Sequence, residues 1–303
     1  MRLKSLCLAL LFGLSALPAQ ALSPSNCGTI EEQAFTLLDA HFDIEVTQSP
    51  TSRATALPNG CVSTDLDVYV GELGLSFRVE RLAYTGQNLL SWVRGEVVLP
   101  TELGLRLDGA MLIGQPAPEL TWISDLAGPQ TPARIDLQWR WHPETNRLDV
   151  DGLRVELHDG STATLVLRGH APGWTPYNTP LADLGHHTLA VDLLFNGLFE
   201  RAVVAPMQAN GIDASPFTFA MAAAGVQSLT HSAPRGFLST ASATAINAFT
   251  LSLPSPRGRL RLNLTSPEHF NLNAALFNLR TGIPFDVALP SGTSLQAIWT
   301  PRQ

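Results

Sequence analysis

The chain has 303 residues, 19 basic and 26 acidic, for a net charge of −7. An acidic chain whose Lys and Arg are scattered is set aside as a nucleic-acid binder, because that binding rests on neutralised phosphates, and it lacks the polybasic stretch that holds a protein to anionic lipid heads. Its length suffices for one large β domain or two smaller ones with a sizeable core.

Residues 1–21 read as a secretory signal. Arg2 and Lys4 form a positive start, an apolar run covers 6–17, and Pro18-Ala19-Gln20-Ala21 supplies small residues for cleavage after Ala21. The run is too short to stay in a bilayer as a spanning helix. No later stretch reaches about 18 apolar residues, so no transmembrane helix is expected after cleavage. Export to a periplasm follows from this reading. Loss of Arg2 and Lys4 leaves 17 basic against 26 acidic residues, a net charge of −9.

Two of the three cysteines, Cys27 and Cys61, lie beyond the signal. An even count in an exported chain predicts a disulfide between them, the alternative being two buried thiols. Residues 22–61 are expected to hold one N-terminal helix. Thr29 and Glu32 have capping-box spacing, and Ile30, Ala34, Leu37, Leu38 and His41 follow at helical period. Glu31 and Glu32 then fall in its first turn, where the helix dipole favours acids.

From Val62 to residue 170 the period becomes two, which predicts antiparallel β structure. Leu66, Val68 and Val70 alternate with Asp67 and Tyr69; after Gly71 the apolar phase slips to Leu73, Leu75, Phe77 and Val79, so a bulge or turn belongs there. The clearest meander is 134–168. Ile135, Leu137, Trp139 and Trp141 share one face and Arg134, Asp136, Gln138, Arg140 and His142 the other; turns are expected at Pro143-Glu144-Thr145-Asn146 and His158-Asp159-Gly160-Ser161, and a slip at Asp151-Gly152. Residues 171–186, rich in Pro and Gly, read as a linker or crossing loop. Residues 187–303 form a second β region. In it Leu189, Val191 and Leu193 alternate, residues 197–207 fit a strand or a short helix, and Phe249, Leu251, Leu253 and Leu260, Leu262, Leu264 form a hairpin about Ser255-Pro256-Arg257-Gly258. Trp299 falls in a last strand. The fold class is mainly β: antiparallel meanders in a twisted sheet or a sandwich, with one N-terminal helix.

Motifs that commit a chain to a reaction are missing: there is no G-x-S-x-G elbow, GxGxxG or P-loop. His170, His186 and His187 are the best candidates for a metal, but adjacent residues of an extended chain point to opposite faces, and no cofactor or metal is expected. Ile135, Leu137, Trp139 and Trp141 read either as the wall of an apolar groove or as filled core.

The run Arg147-Leu148-Asp149-Val150-Asp151-Gly152-Leu153-Arg154-Val155-Glu156-Leu157, a polar turn followed by short alternating strands, resembles the repeated β units of AsmA-like envelope proteins of Gram-negative bacteria. The resemblance covers about a third of the chain. It implies a long twisted sheet with a greasy face and a role in lipid handling, and it implies no catalytic residues. The expected function is non-enzymatic: binding a lipid-like hydrophobic ligand or an envelope protein. The alternative is a hydrolase whose carboxylates or histidines converge only in space. An outer-membrane barrel fits the alternation but not the three tyrosines or the Thr300-Pro301-Arg302-Gln303 end.

Overall fold

The computed structural model describes residues 22–48, 52–71, 74–94, 96, 100–117, 120–121, 123–128, 132–170, 185–271, 274–275 and 288–302. The expected signal, 1–21, and most of the expected linker, 171–184, lie outside them. The strands are β1 (Ile44–Gln48), β2 (Ala54–Leu57), β3 (Gly60–Val70), β4 (Leu75–Gly86), β5 (Glu102–Ile113), β6 (Ala133–His142), β7 (Arg147–Glu156), β8 (Thr162–His170), β9 (Gly185–Phe195), β10 (Gly258–Asn271) and β11 (Ser294–Pro301). All eleven belong to one antiparallel sheet in the order β1-β3-β4-β5-β6-β7-β8-β9-β10-β11, with β2 paired beside β1 on β3. The molecule is therefore mainly β, and of the two expected arrangements it takes the single sheet and not the sandwich. The sheet also runs without a break from β8 to β9, whose pairing joins Leu165 to Val191 and Leu167 to Leu189.

The period-two pattern builds this sheet because each strand has one apolar and one polar face. The expected turn after Val70 is present, with the Gly74 amide donating to the Gly71 carbonyl at 3.0 Å. Both turns of the 134–168 meander are found, and the β7–β8 register shifts between Val150 and Leu153, at the expected slip. A further slip, in β5, was not foreseen: the β5–β6 register shifts between Leu107 and Ala110. Gly109 has φ +68 there, and a Cβ at that position would lie 2.5 Å from the Glu80 carboxyl group. Only glycine admits both the left-handed backbone and the close side chain.

Among the described residues six helices accompany the sheet: α1 (Pro24–Phe42), α2 (Leu89–Val93), α3 (Ile123–Ala127), α4 (Ala205–Ala209), α5 (Pro216–Ser232) and α6 (Thr240–Thr250), with a π-helical turn, Glu200–Val204, leading into α4. Two sequence expectations fail here. Helix α1 starts five residues before Thr29, so the Thr29 hydroxyl donates to the Ser25 carbonyl inside the helix and Glu31 is not in the first turn. The expected strand 249–253 is instead the end of α6 and the turn after it, while β10 begins at Gly258 as the second half of that hairpin should. Of the two forms open for 197–207, the helical one is found. Caps explain the missed helices. Ser215 accepts from the Thr218 amide ahead of Pro216, and Ser239 accepts from the Ser242 amide. Helix α6 lies along β11 and covers its outer edge, where Ser242 Oγ accepts from the Ala297 amide at 3.1 Å and the Phe237 carbonyl from the Leu295 amide at 2.7 Å.

The expected disulfide is present: Cys27 of α1 is bonded to Cys61 of β3, 34 positions on, and both are fully buried. It ties α1 onto β1–β4, where Ile30, Leu66, Val79, Leu82 and Tyr84 form a core. Closing a loop of 34 residues is worth about 3.8 kcal/mol in the chain-entropy model. Urea unfolding of Cys27→Ser/Cys61→Ser is expected to show a loss of about that size, and an unchanged midpoint would contradict it.

Candidate functional site: an apolar sheet face

Register, more than any single residue, makes the site. One row of directly paired side chains crosses the sheet as Tyr84, Leu105, Leu137, Leu153, Leu165, Val191, Leu262 and Ala297. A second row beside it runs Leu82, Leu107, Ile135, Val155, Ala163, Leu193, Leu260 and Trp299. On the other side lies a third: Leu103, Trp139, Val150, Leu167, Leu189, Leu264 and Leu295. The bulge at 151–152 keeps these rows in phase: without it a one-residue slip would turn the apolar residues of one half of β7 to the opposite face.

Among the described residues, helices cover the apolar face at its margins, and the middle of its central row is half-buried. Helix α1 covers it over β1–β3. At the other margin Phe249 of α6 packs on Phe195 and Trp299 at 5.5 and 5.2 Å, and Phe199 links Phe195 to Phe219 of α5. Helix α3, between β5 and β6, touches β5 and also the π-helical turn that follows β9, so this connection stretches across the ends of β6–β8. At the opposite ends of the strands a fourth row, Trp141, Leu148, Gly169, His186 and Phe270, is buried throughout. Between these covers, every member of the central row from Leu105 to Leu262 stays half-buried. With strands about 4.8 Å apart and rows about 6.8 Å apart, the three rows over β5–β10 have a footprint of roughly 24 Å by 13 Å.

The sequence-predicted set divides. Ile135, Leu137 and Trp139 lie on the half-buried stretch, whereas Trp141, 6 % exposed, belongs to the buried closing row. The residues that sequence reasoning missed are the partners from β5, β8, β9 and β10. Their alternation was visible, but only register shows that they continue one face.

The other face is charged. Arg106, Asp136, Arg154, Thr164, Asp192 and Arg261 follow one another across six strands in near-alternating sign. Arg140 makes a two-point contact with Asp151 at 2.7 and 2.8 Å, and Arg259 with Asp192 at 2.7 and 2.6 Å. Arg140 holds the Asp151 carboxyl below its ordinary range; at Asp108 partial burial opposes, but Arg106, Arg81 and Arg134 prevail and lower it. These carboxylates are engaged by arginines, an arrangement that fixes register and suits no general acid.

Glu31 belongs to the core under α1, 1 % exposed. It accepts from Ser63 Oγ, from Tyr84 Oη at 3.1 Å and from Gln48 Nε2 at 2.7 Å. Burial, then the Glu31 charge, pushes the Tyr84 phenol far above its ordinary value. This closed cluster has no room for a substrate, since Ser63 is itself fully buried.

The histidines split as extended backbone requires. His186 points into the buried row, while His187 lies against His269 of β10, with ring centroids 3.7 Å apart, and His269 stacks on His170 at 5.1 Å. Among the described residues no group of three His, Cys, Asp or Glu is placed to hold a metal ion, and no helix is long and apolar enough to cross a membrane. No family model matches the chain, and neither a curated protein nor a solved structure matches it.

Proposed function

We propose that the protein is a non-enzymatic binder of a lipid-like hydrophobic ligand, working in the periplasm, with acyl chains laid on the apolar rows of β5–β10. The observation that carries this reading is the unbroken central row, Leu105, Leu137, Leu153, Leu165, Val191 and Leu262, half-buried along its whole length while both margins of the same face are covered by helices. A face meant only as core would be covered in its middle first, where burial gains most. Leaving six large aliphatic side chains partly in water forgoes about 25 cal/mol for every Å² still wet, which a bound acyl chain recovers. The resemblance of residues 147–157 to AsmA-like β units supports the same reading, as does the absence of a reaction motif from the sequence. The test is titration with a fluorescent fatty-acid analogue, read by probe emission and by tryptophan quenching at Trp139. Saturable binding near one site per chain is expected, and no saturable binding would contradict the proposal.

A further inference from the structure

The buried closing row has a second side. At the ends of β8, β9 and β10, His170, His187 and His269 pack ring against ring on the polar face, behind His186 and Phe270. The strands are weakly joined there. The β8–β9 register shifts between Arg168 and Gly169, and the β9–β10 register between Thr265 and Phe270, so only Phe270–His186 and Asn271–Gly185 extend β10 beyond its bulge. His269 lies directly over Gly185, where a Cβ would come within 2.9 Å of its own, and its Nδ1 donates to the Gly185 carbonyl at 3.2 Å. That bond leaves Nε2 as the site that takes up a proton.

We infer that the His170–His187–His269 stack is a pH-sensitive latch on the closing row: neutral, the three rings hold the ends of β8, β9 and β10 together, and protonated, they drive them apart. The charged and titratable surroundings point the same way. On β7, Arg147 is paired opposite His170; on β8, Arg168 lies two residues from it; on β9, His186 adjoins His187; on β10, Glu268 is the one acid beside the stack in sequence. Arg147 is engaged by the buried Asp149 at 2.6 Å, so that carboxylate is not free for the histidines, and among the described residues none of the three rings is in an ion pair with an acid. Burial, then His187 and His170, lowers the basicity of His269, against the raising effect of the Gly185 carbonyl. The closed arrangement therefore binds protons less tightly than an open one. Its stability is present above the ordinary histidine value of about 6.5 and falls as pH drops through it. Opening would unseat Phe270 and His186, and with them the Phe270, Phe237 and Leu289 cluster against Leu264 and Leu295 at one end of the apolar rows. The latch itself does not depend on what those rows bind.

Hydrogen exchange of the full chain at pH 7.5 and 5.5, corrected for intrinsic rates and run in chelator, tests this. Peptides covering 185–187 and 269–271 are expected to lose protection about fivefold or more on acidification, the effect of one like-charge contact near 4 Å in water. Peptides from β6 should not change. The acid effect should vanish in His187→Gln/His269→Gln, and be reduced in His170→Gln should the double variant misfold. Equal protection at both pH values, or the same loss in the variants, would overturn the inference.

Discussion

Leu137→Asp/Leu165→Asp is expected to abolish saturable binding of the acyl probe while the protein stays folded. The two leucines sit two strands apart in the central row, joined through Leu153, and all three are half-buried. A carboxylate there keeps access to water in the free protein, so the change costs less than it would at Val79 or Leu82, which are buried. Laying an acyl chain across the row would desolvate both charges without a partner, at several kcal/mol each. That exceeds what a single hydrocarbon chain gains on such a surface, so affinity should fall by at least about a hundredfold, near 3 kcal/mol. Thermal unfolding of the same variant separates the two causes. A similar midpoint with lost binding supports the apolar rows as the site. Retained binding would show that the ligand sits elsewhere.

Glu31→Ala is expected to be among the most destabilising single substitutions in the chain. It removes the acceptor shared by Ser63 and Tyr84 and used by Gln48. The Ser63 hydroxyl is then left without its acceptor inside a core that excludes water, and the Tyr84 hydroxyl keeps only the Cys27 carbonyl at 3.3 Å, so a loss of about 3 kcal/mol follows. Glu31→Gln, which keeps an acceptor oxygen, should lose much less. The pair is measured by urea unfolding, and equal effects of the two would refute the hydrogen-bond account. Tyr84 adds a pH dependence. Its folded phenol resists ionisation, by burial first and by the Glu31 charge second, while the unfolded phenol ionises near 10. The stability it contributes is intact below that value and declines as pH rises beyond it. Glu31→Gln removes the charge and should soften that decline.

The sheet was legible in the sequence where alternation was clean. Residues 134–168 gave three strands, both turns and the slip at 151–152, because each strand keeps Leu, Ile, Val or Trp at every second position. Helices α5 and α6 were not. Helix α5 carries no charged residue over 216–232 apart from His231 and has no polar face to reveal its period. Phe249, Leu251 and Leu253 mimic a strand only by their spacing. At the site, Ile135, Leu137 and Trp139 were visible as one apolar face. Whether that face is open depends on how far α1 and α6 reach, and on the bulges that set register, and neither is written in a local pattern. Trp141 looked equivalent to Trp139, yet it sits two residues nearer the strand end and falls under the closing row. Glu31 has the position of a helix-dipole acid only in a helix that starts at Thr29; with α1 beginning at Pro24, its side chain turns onto the sheet.

The most direct measurement is mass spectrometry on the organic extract of the natively purified protein, with Leu137→Asp/Leu165→Asp purified alongside. An acyl lipid near one per chain in the first, absent from the second, is the result that hydrophobic-ligand binding on β5–β10 predicts. An empty wild-type protein, or lipid held equally by the variant, would contradict it.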